Sequence, residues 1–110
     1  MTRFLDGPAN GSFLLLRRAP VFLRAVQKRG DEKWDALDQL NDRPAVEETI
    51  VVYERVSEPT WCHIRATNGG GIYRGGDYRV IEPQPGDDVL RDQVQWERWA
   101  SAAFKAKGIS

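Results

Sequence analysis

The sequence predicts an α+β domain: a small antiparallel sheet or partly open β-barrel of about five strands, with one short helix after the second strand and a C-terminal helix packed on the sheet. Three observations carry that prediction. Short runs rich in β-branched and aromatic residues recur, ETIVVYERV at 48–56 being the clearest. Clusters of Gly, Pro, Asn and Asp separate them as turns. Near the end, Val89, Trp96, Trp99, Ala100 and Ala103 fall within about 100° of one another when wound as a helix, with Leu90 and Phe104 flanking.

The elements follow in order. MTRFLDGPANG opens with the turn signals Asp6-Gly7-Pro8 and Asn10-Gly11, and Phe4 and Leu5 are placed to pin it to the core. SFLLLRR at 12–18 reads as the first strand, its three consecutive Leu buried on both faces. Ala19-Pro20 interrupts the ladder because Pro has no N–H. Residues 21–28 resume as a second strand. DEKWDALDQL at 31–40 reads as the short helix, with Asp31 as N-cap, Glu32 and Asp35 at the positive dipole end, and Trp34, Leu37 and Leu40 as its apolar stripe. Residues 48–56 form the third strand and WCHIRAT at 61–67 the fourth. Asn68-Gly69-Gly70-Gly71 makes a hairpin loop into a fifth strand over 72–82, with a bulge at Gly75-Gly76. Pro83-Gln84-Pro85-Gly86 breaks the pattern. The last helix runs over 87–107, with Asp87 and Asp88 capping its start, Lys105 and Lys107 at its negative end and Gly108 as its C′ residue.

No repeat or linker divides the chain, so its 110 residues read as one domain, 1–110, burying roughly 65% of the extended surface around about ten large side chains. One Cys leaves no internal disulfide framework or Cys-rich zinc module, and one His leaves little for a metal site or a His-based triad. The longest uncharged run is the ten residues 7–16, half of them small or polar. Neither a membrane span nor a signal-peptide core is expected, and a cytoplasmic soluble domain is.

The formal net charge is zero but unevenly spread. Residues 1–30 carry six basic groups against Asp6 alone, and residues 31–60 carry nine acidic groups against three basic. Such segments either face a partner or neutralise each other as neighbours. The zero balance favours neutralisation, since nucleic-acid binders are usually net positive.

Candidate chemistry is sparse. Cys62 and His63 are adjacent on a strand, so their side chains diverge and form no thiolate–imidazole dyad. Asp35, Asp38 and Asp42 share one face if the short helix runs that far; they could hold a hard cation, but a solvated helix face has the same pattern. Glu47-Glu48 diverge in the same way. The glycine-rich stretch NGGGIYRGGDYR at 68–79 lacks the Lys-Ser/Thr of a phosphate cradle. It alternates Tyr73 and Tyr78 with Arg74 and Arg79, as a stacking surface for nucleic acid would, and as an exposed solubilising hairpin would. Arg17, Arg18 and Arg24 lie on consecutive strands and would extend that surface into one basic patch if the strands are neighbours.

The words FLDGPANG (4–11), LLLRRAPVFLR (14–24), KWDALDQLNDRP (33–44) and ETIVVYERV (48–56), with GGDYRVIE (75–82) and DDVLRDQVQWERW (87–99), resemble small uncharacterised proteins encoded by bacteriophages of actinobacteria. The resemblance spans nearly the whole chain. It implies a phage gene product acting inside a bacterial host cell, and it brings no defined activity or catalytic residue.

The leading expectation is therefore a non-enzymatic interaction module, an accessory protein that binds a host bacterial protein. One alternative is nucleic-acid binding through the Arg/Tyr surface. Another is a virion connector or tail component, which would assemble as a homo-oligomer. No catalytic, metal-binding or cofactor-binding residue is assigned, and no membrane partner is expected.

Overall fold

The structure, a computed structural model, describes residues 1–37, 47–64 and 71–106. In chain order its elements are β1 (Thr2–Phe4), β2 (Phe13–Leu14), β3 (Phe22–Gln27), β4 (Trp34–Leu37), β5 (Thr49–Arg55), β6 (Thr60–Ile64), β7 (Gly71–Gly75), β8 (Asp77–Val80), α1 (Asp87–Arg91) and α2 (Gln93–Ala106). Strand β3 is the centre of the design, because five of its six residues, FLRAV, are buried. A strand buried throughout must be covered on both faces. It pairs antiparallel with β4 on one edge and β5 on the other. The six-stranded sheet runs β2-β1-β8-β5-β3-β4, antiparallel except for the parallel β1–β8 pair. It curls into a nearly closed, barrel-like form, and Leu14 of β2 approaches Trp34 and Ala36 of β4 across a cleft of about 500 Å³.

Alternation along β3 and β5 sorts the core into two parts. Leu23, Ala25 and Tyr53 face the inside of the curled sheet, with Phe4, Leu16, Trp34 and Tyr78. Phe22 and Val52 face outward and are covered by Leu90 of α1 and Trp96 of α2, with Trp99, Ala100 and Ala103 packed alongside. The helical stripe read from the sequence is thus the face that covers the sheet. Trp96 stacks on Trp99 at 5.3 Å, and Trp99 meets Phe22 edge-on at 5.2 Å.

Several sequence expectations need correction. Trp34–Leu37 lies in the expected short helix but is strand β4, with Trp34 and Ala36 buried and Asp35 exposed between them. The apolar positions of DEKWDAL suit a period of two as well as one of 3.6, and the open edge of β3 offers a ladder that a lone short helix lacks. Asp31 is no N-cap; its carboxylate accepts the Lys33 N–H at 3.1 Å, an Asx turn. The strand expected at 12–18 shortens to β2 plus a single bridge from Leu16 to Arg74. The long run over 72–82 is two strands serving different sheets, β7 with β6 and β8 with β5 and β1. Gly75-Gly76 marks that switch rather than a bulge. The Met1 backbone lies where a Gly75 side chain would be, and Gly76 accepts the Arg3 N–H at 3.0 Å. β1 itself was expected only as an anchored segment, and Phe4 does anchor it.

The final helix is also two. Asp92 ends α1 by donating its N–H to the Asp88 carbonyl, then starts α2 by accepting the Val94 and Gln95 N–H groups at 2.9 and 3.1 Å. Asp87 and Asp88 sit in the first turn of α1 but do not cap it; Gly86 holds the N-cap position with no side-chain bond. Lys107 and Gly108 lie outside the described residues.

Candidate functional site

Of the expected Arg/Tyr surface, the structure buries two members. Arg24 sits on the outward face of β3 beneath the helices and is 1% exposed. Its Nη1 donates to the Leu90 carbonyl at 2.8 Å, its Nη2 donates to Gln93 Oε1 at 2.9 Å, and its guanidinium lies 4.8 Å from the Trp96 ring centroid. Leu90 is in the last turn of α1, where carbonyls lack partners within the helix, so Arg24 satisfies an orphaned acceptor and ties both helices to the sheet. Tyr78 is fully buried inside the curled sheet, its hydroxyl donating to the Pro20 carbonyl. Burial pushes its hydroxyl well above the ordinary tyrosine range. Both side chains are buried rather than exposed on the expected surface.

The structure brings Arg17, Tyr73 and Arg74 together at the β6–β7 hairpin. This two-stranded sheet is joined to the main one by the Leu16–Arg74 bridge, in which the Arg74 N–H donates to the Leu16 carbonyl at 2.9 Å. The bridge carries Arg17 beside β7, where its guanidinium lies 4.5 Å from the Tyr73 centroid. Across the hairpin Trp61 stands opposite Arg74, whose guanidinium lies 4.5 Å from the Trp61 ring. Trp61 is 67% exposed and Ile72 51%. Alternation puts Trp61, His63, Ile72 and Arg74 on one face of the hairpin and Cys62 and Tyr73 on the other. Cys62 and His63 therefore do diverge, as their adjacency on a strand requires.

The remaining expected residues lie elsewhere. Arg18 and Arg24 line one cleft of about 330 Å³ beside Trp96 and Glu97, so they do share a side. Arg79 is exposed on β8, opposite Glu54 of β5. The single basic patch is therefore not formed. Asp35 is exposed on β4, its carboxylate accepting the Ala36 N–H at 2.8 Å. It shares no helix face with Asp38 and Asp42, which lie outside the described residues. The basic and acidic segments are neighbours, since β3 lies between β4 and β5.

Trp61 and Ile72 were not singled out from the sequence, and His63 was weighed only as a partner of Cys62. The signal that finds them is the register of WCHIRAT against GIYRG, which sets Trp61 beside Arg74 rather than in the core. Among the described residues no group of three or more His, Cys, Asp or Glu side chains could hold a metal ion. No described helix is long and apolar enough to cross a membrane. No protein family, curated protein or solved structure matches this chain.

Proposed function

We propose that this protein is a non-enzymatic interaction module, and that the β6–β7 hairpin is the surface it presents to a partner protein. One observation carries the reading: a two-thirds exposed Trp61 held under the Arg74 guanidinium on one face of the hairpin, with Arg17 stacked on Tyr73 on the other. Trp, Tyr and Arg are the residue types that dominate binding energy at protein interfaces. Cation–π stacking holds these long side chains in place before binding, which lowers the entropy lost on docking. Ile72 adds apolar area on the same face as Trp61. The resemblance to actinobacteriophage proteins makes the partner a host bacterial protein met in the cytoplasm, with this chain as a phage accessory factor.

A second reading, nucleic-acid binding, draws on the same stacked arginines and aromatics, which also suit a single strand whose bases stack on Trp61. The chain's zero net charge favours protein. Affinity capture from an actinobacterial lysate separates the two. A stoichiometric protein partner that survives nuclease and is lost with Trp61→Ala or Arg74→Ala supports the first reading. Capture that vanishes with nuclease, or with modest added salt, supports the second. Capture unchanged by either substitution removes the hairpin as the binding surface.

A further inference from the structure

We propose that the outer edge of β6 is a self-association edge, through which two copies of this chain pair antiparallel about Cys62 into a continuous four-stranded sheet. The inference stands apart from the partner reading, because it concerns the purified chain alone.

Strand β6 has β7 as its one strand partner among the described residues, so the backbone groups on its other side face no strand. Exposed edges are usually shortened or charged to prevent pairing. The two edges of the six-stranded sheet follow that rule: β2 is two residues long, and β4 carries the exposed Asp35 at its middle. Thr60–Ile64, TWCHI, is five residues long and contains no Lys, Arg, Asp, Glu or Pro.

The sequence of β6 favours a second copy as the occupant. Antiparallel pairing centred on Cys62 sets Thr60 across from Ile64 and Trp61 across from His63 of the second copy. Identical edges bearing charge can set like charges opposite one another, but this edge has none, and each Trp61 gains an aromatic cross-strand neighbour. The zero net charge of the chain removes the long-range repulsion that keeps many proteins monomeric. Two-fold pairing of this kind closes at two copies.

Sedimentation equilibrium on the purified chain should show a monomer–dimer equilibrium with Kd of about 10–100 µM, as suits a small interface. Trp61 and His63 are both exposed, so W61K and H63D should keep the wild-type circular dichroism spectrum while each shifts the chain to monomer. Mixing the two variants should restore a heterodimer, because the pairing sets one introduced charge against the other. A short bismaleimide, which adds one Cys62 thiol at each end, should trap a covalent dimer in the wild type and lose it in W61K. A monomer up to about ten times that Kd, a ring-sized oligomer, or a dimer indifferent to both substitutions would overturn the proposal. A mixture of folded variants that fails to pair overturns the register.

Discussion

An arginine stacks on a tryptophan in two regions of this molecule, and the two pairs have opposite fates. Between β3 and α2, Arg24 lies 4.8 Å from the Trp96 ring with both residues buried. On the hairpin, Arg74 lies 4.5 Å from Trp61 with that ring largely in water. The pair chemistry is the same; the cover differs. Two helices roof β3, so Arg24 must satisfy its charge with the Leu90 carbonyl and Gln93 and becomes part of the scaffold. Nothing among the described elements roofs the outer face of Trp61, so the same pair is left as a surface. Residue type alone does not separate a structural arginine from a binding one; what lies across the strand does.

Paired substitutions would break or sharpen this contrast. The largest effect should come from Trp96→Ala, which empties the helix–sheet core and should lower stability by about 3–5 kcal/mol. Trp61→Ala should change it by less than about 1 kcal/mol. Chemical denaturation of both variants measures the difference, and equal losses would show that the hairpin is as much core as the helix face. Arg24→Met comes next. It leaves the Leu90 carbonyl and Gln93 without their charged donor and should cost about 3 kcal/mol, against less than about 1 for Arg74→Met.

The tyrosines repeat the contrast at smaller scale. Burial raises the hydroxyls of both Tyr53 and Tyr78 above the ordinary value of 10.0. The unfolded chain releases those protons near pH 10 while the folded chain keeps them, so stability falls as pH climbs past 10. Tyr78→Phe should flatten that fall and cost about 1 kcal/mol at neutral pH through the lost bond to Pro20. Tyr73→Phe, by contrast, should leave neutral-pH stability almost unchanged. Thermal melts between pH 8 and 11 would test both. The smallest effect is expected at Asp77, whose carboxyl is held below its ordinary value of 3.8 by the hydrogen bond from Arg3. That contribution is present above pH 3.8 and is lost as pH falls through the lower folded value. The pair is exposed, so Arg3→Gln should shift the acid limb of the stability curve barely measurably.

Much of the scaffold was legible along the chain. ETIVVYERV reads as a strand by composition and is one, and the Trp96/Trp99 stripe reads as a packing face and covers the sheet. Of the short helix expected at 31–40, Trp34–Leu37 is a strand because Trp34 and Ala36 satisfy two periodicities, and only the open edge of β3 chooses between them. The split at Gly75-Gly76 was invisible for a related reason. One continuous run of strand-forming residues gives no sign that its halves pair with different partners. The candidate site was half legible: Arg17, Tyr73 and Arg74 came from their alternation, whereas Arg24 and Tyr78 carry the same letters and are buried. Trp61 was passed over because an exposed tryptophan is the less frequent outcome.

The sequence by itself determined the class of object: an α+β fold with strands where β-branched residues cluster, a C-terminal helical region with one apolar face, and turns at its Gly and Pro clusters. Those are local properties, set by backbone propensity and by the spacing of apolar side chains. Tertiary structure alone decided the strand order, the parallel β1–β8 pair, the strand at β4 and the division of arginines and aromatics between core and surface. Each of these depends on which residues meet across a ladder or beneath a helix, at separations such as the 66 positions between Arg24 and Leu90. No periodicity within a single segment records such a meeting. It is chosen when the whole chain finds the arrangement that covers both faces of β3 and leaves the hairpin's aromatic face in water.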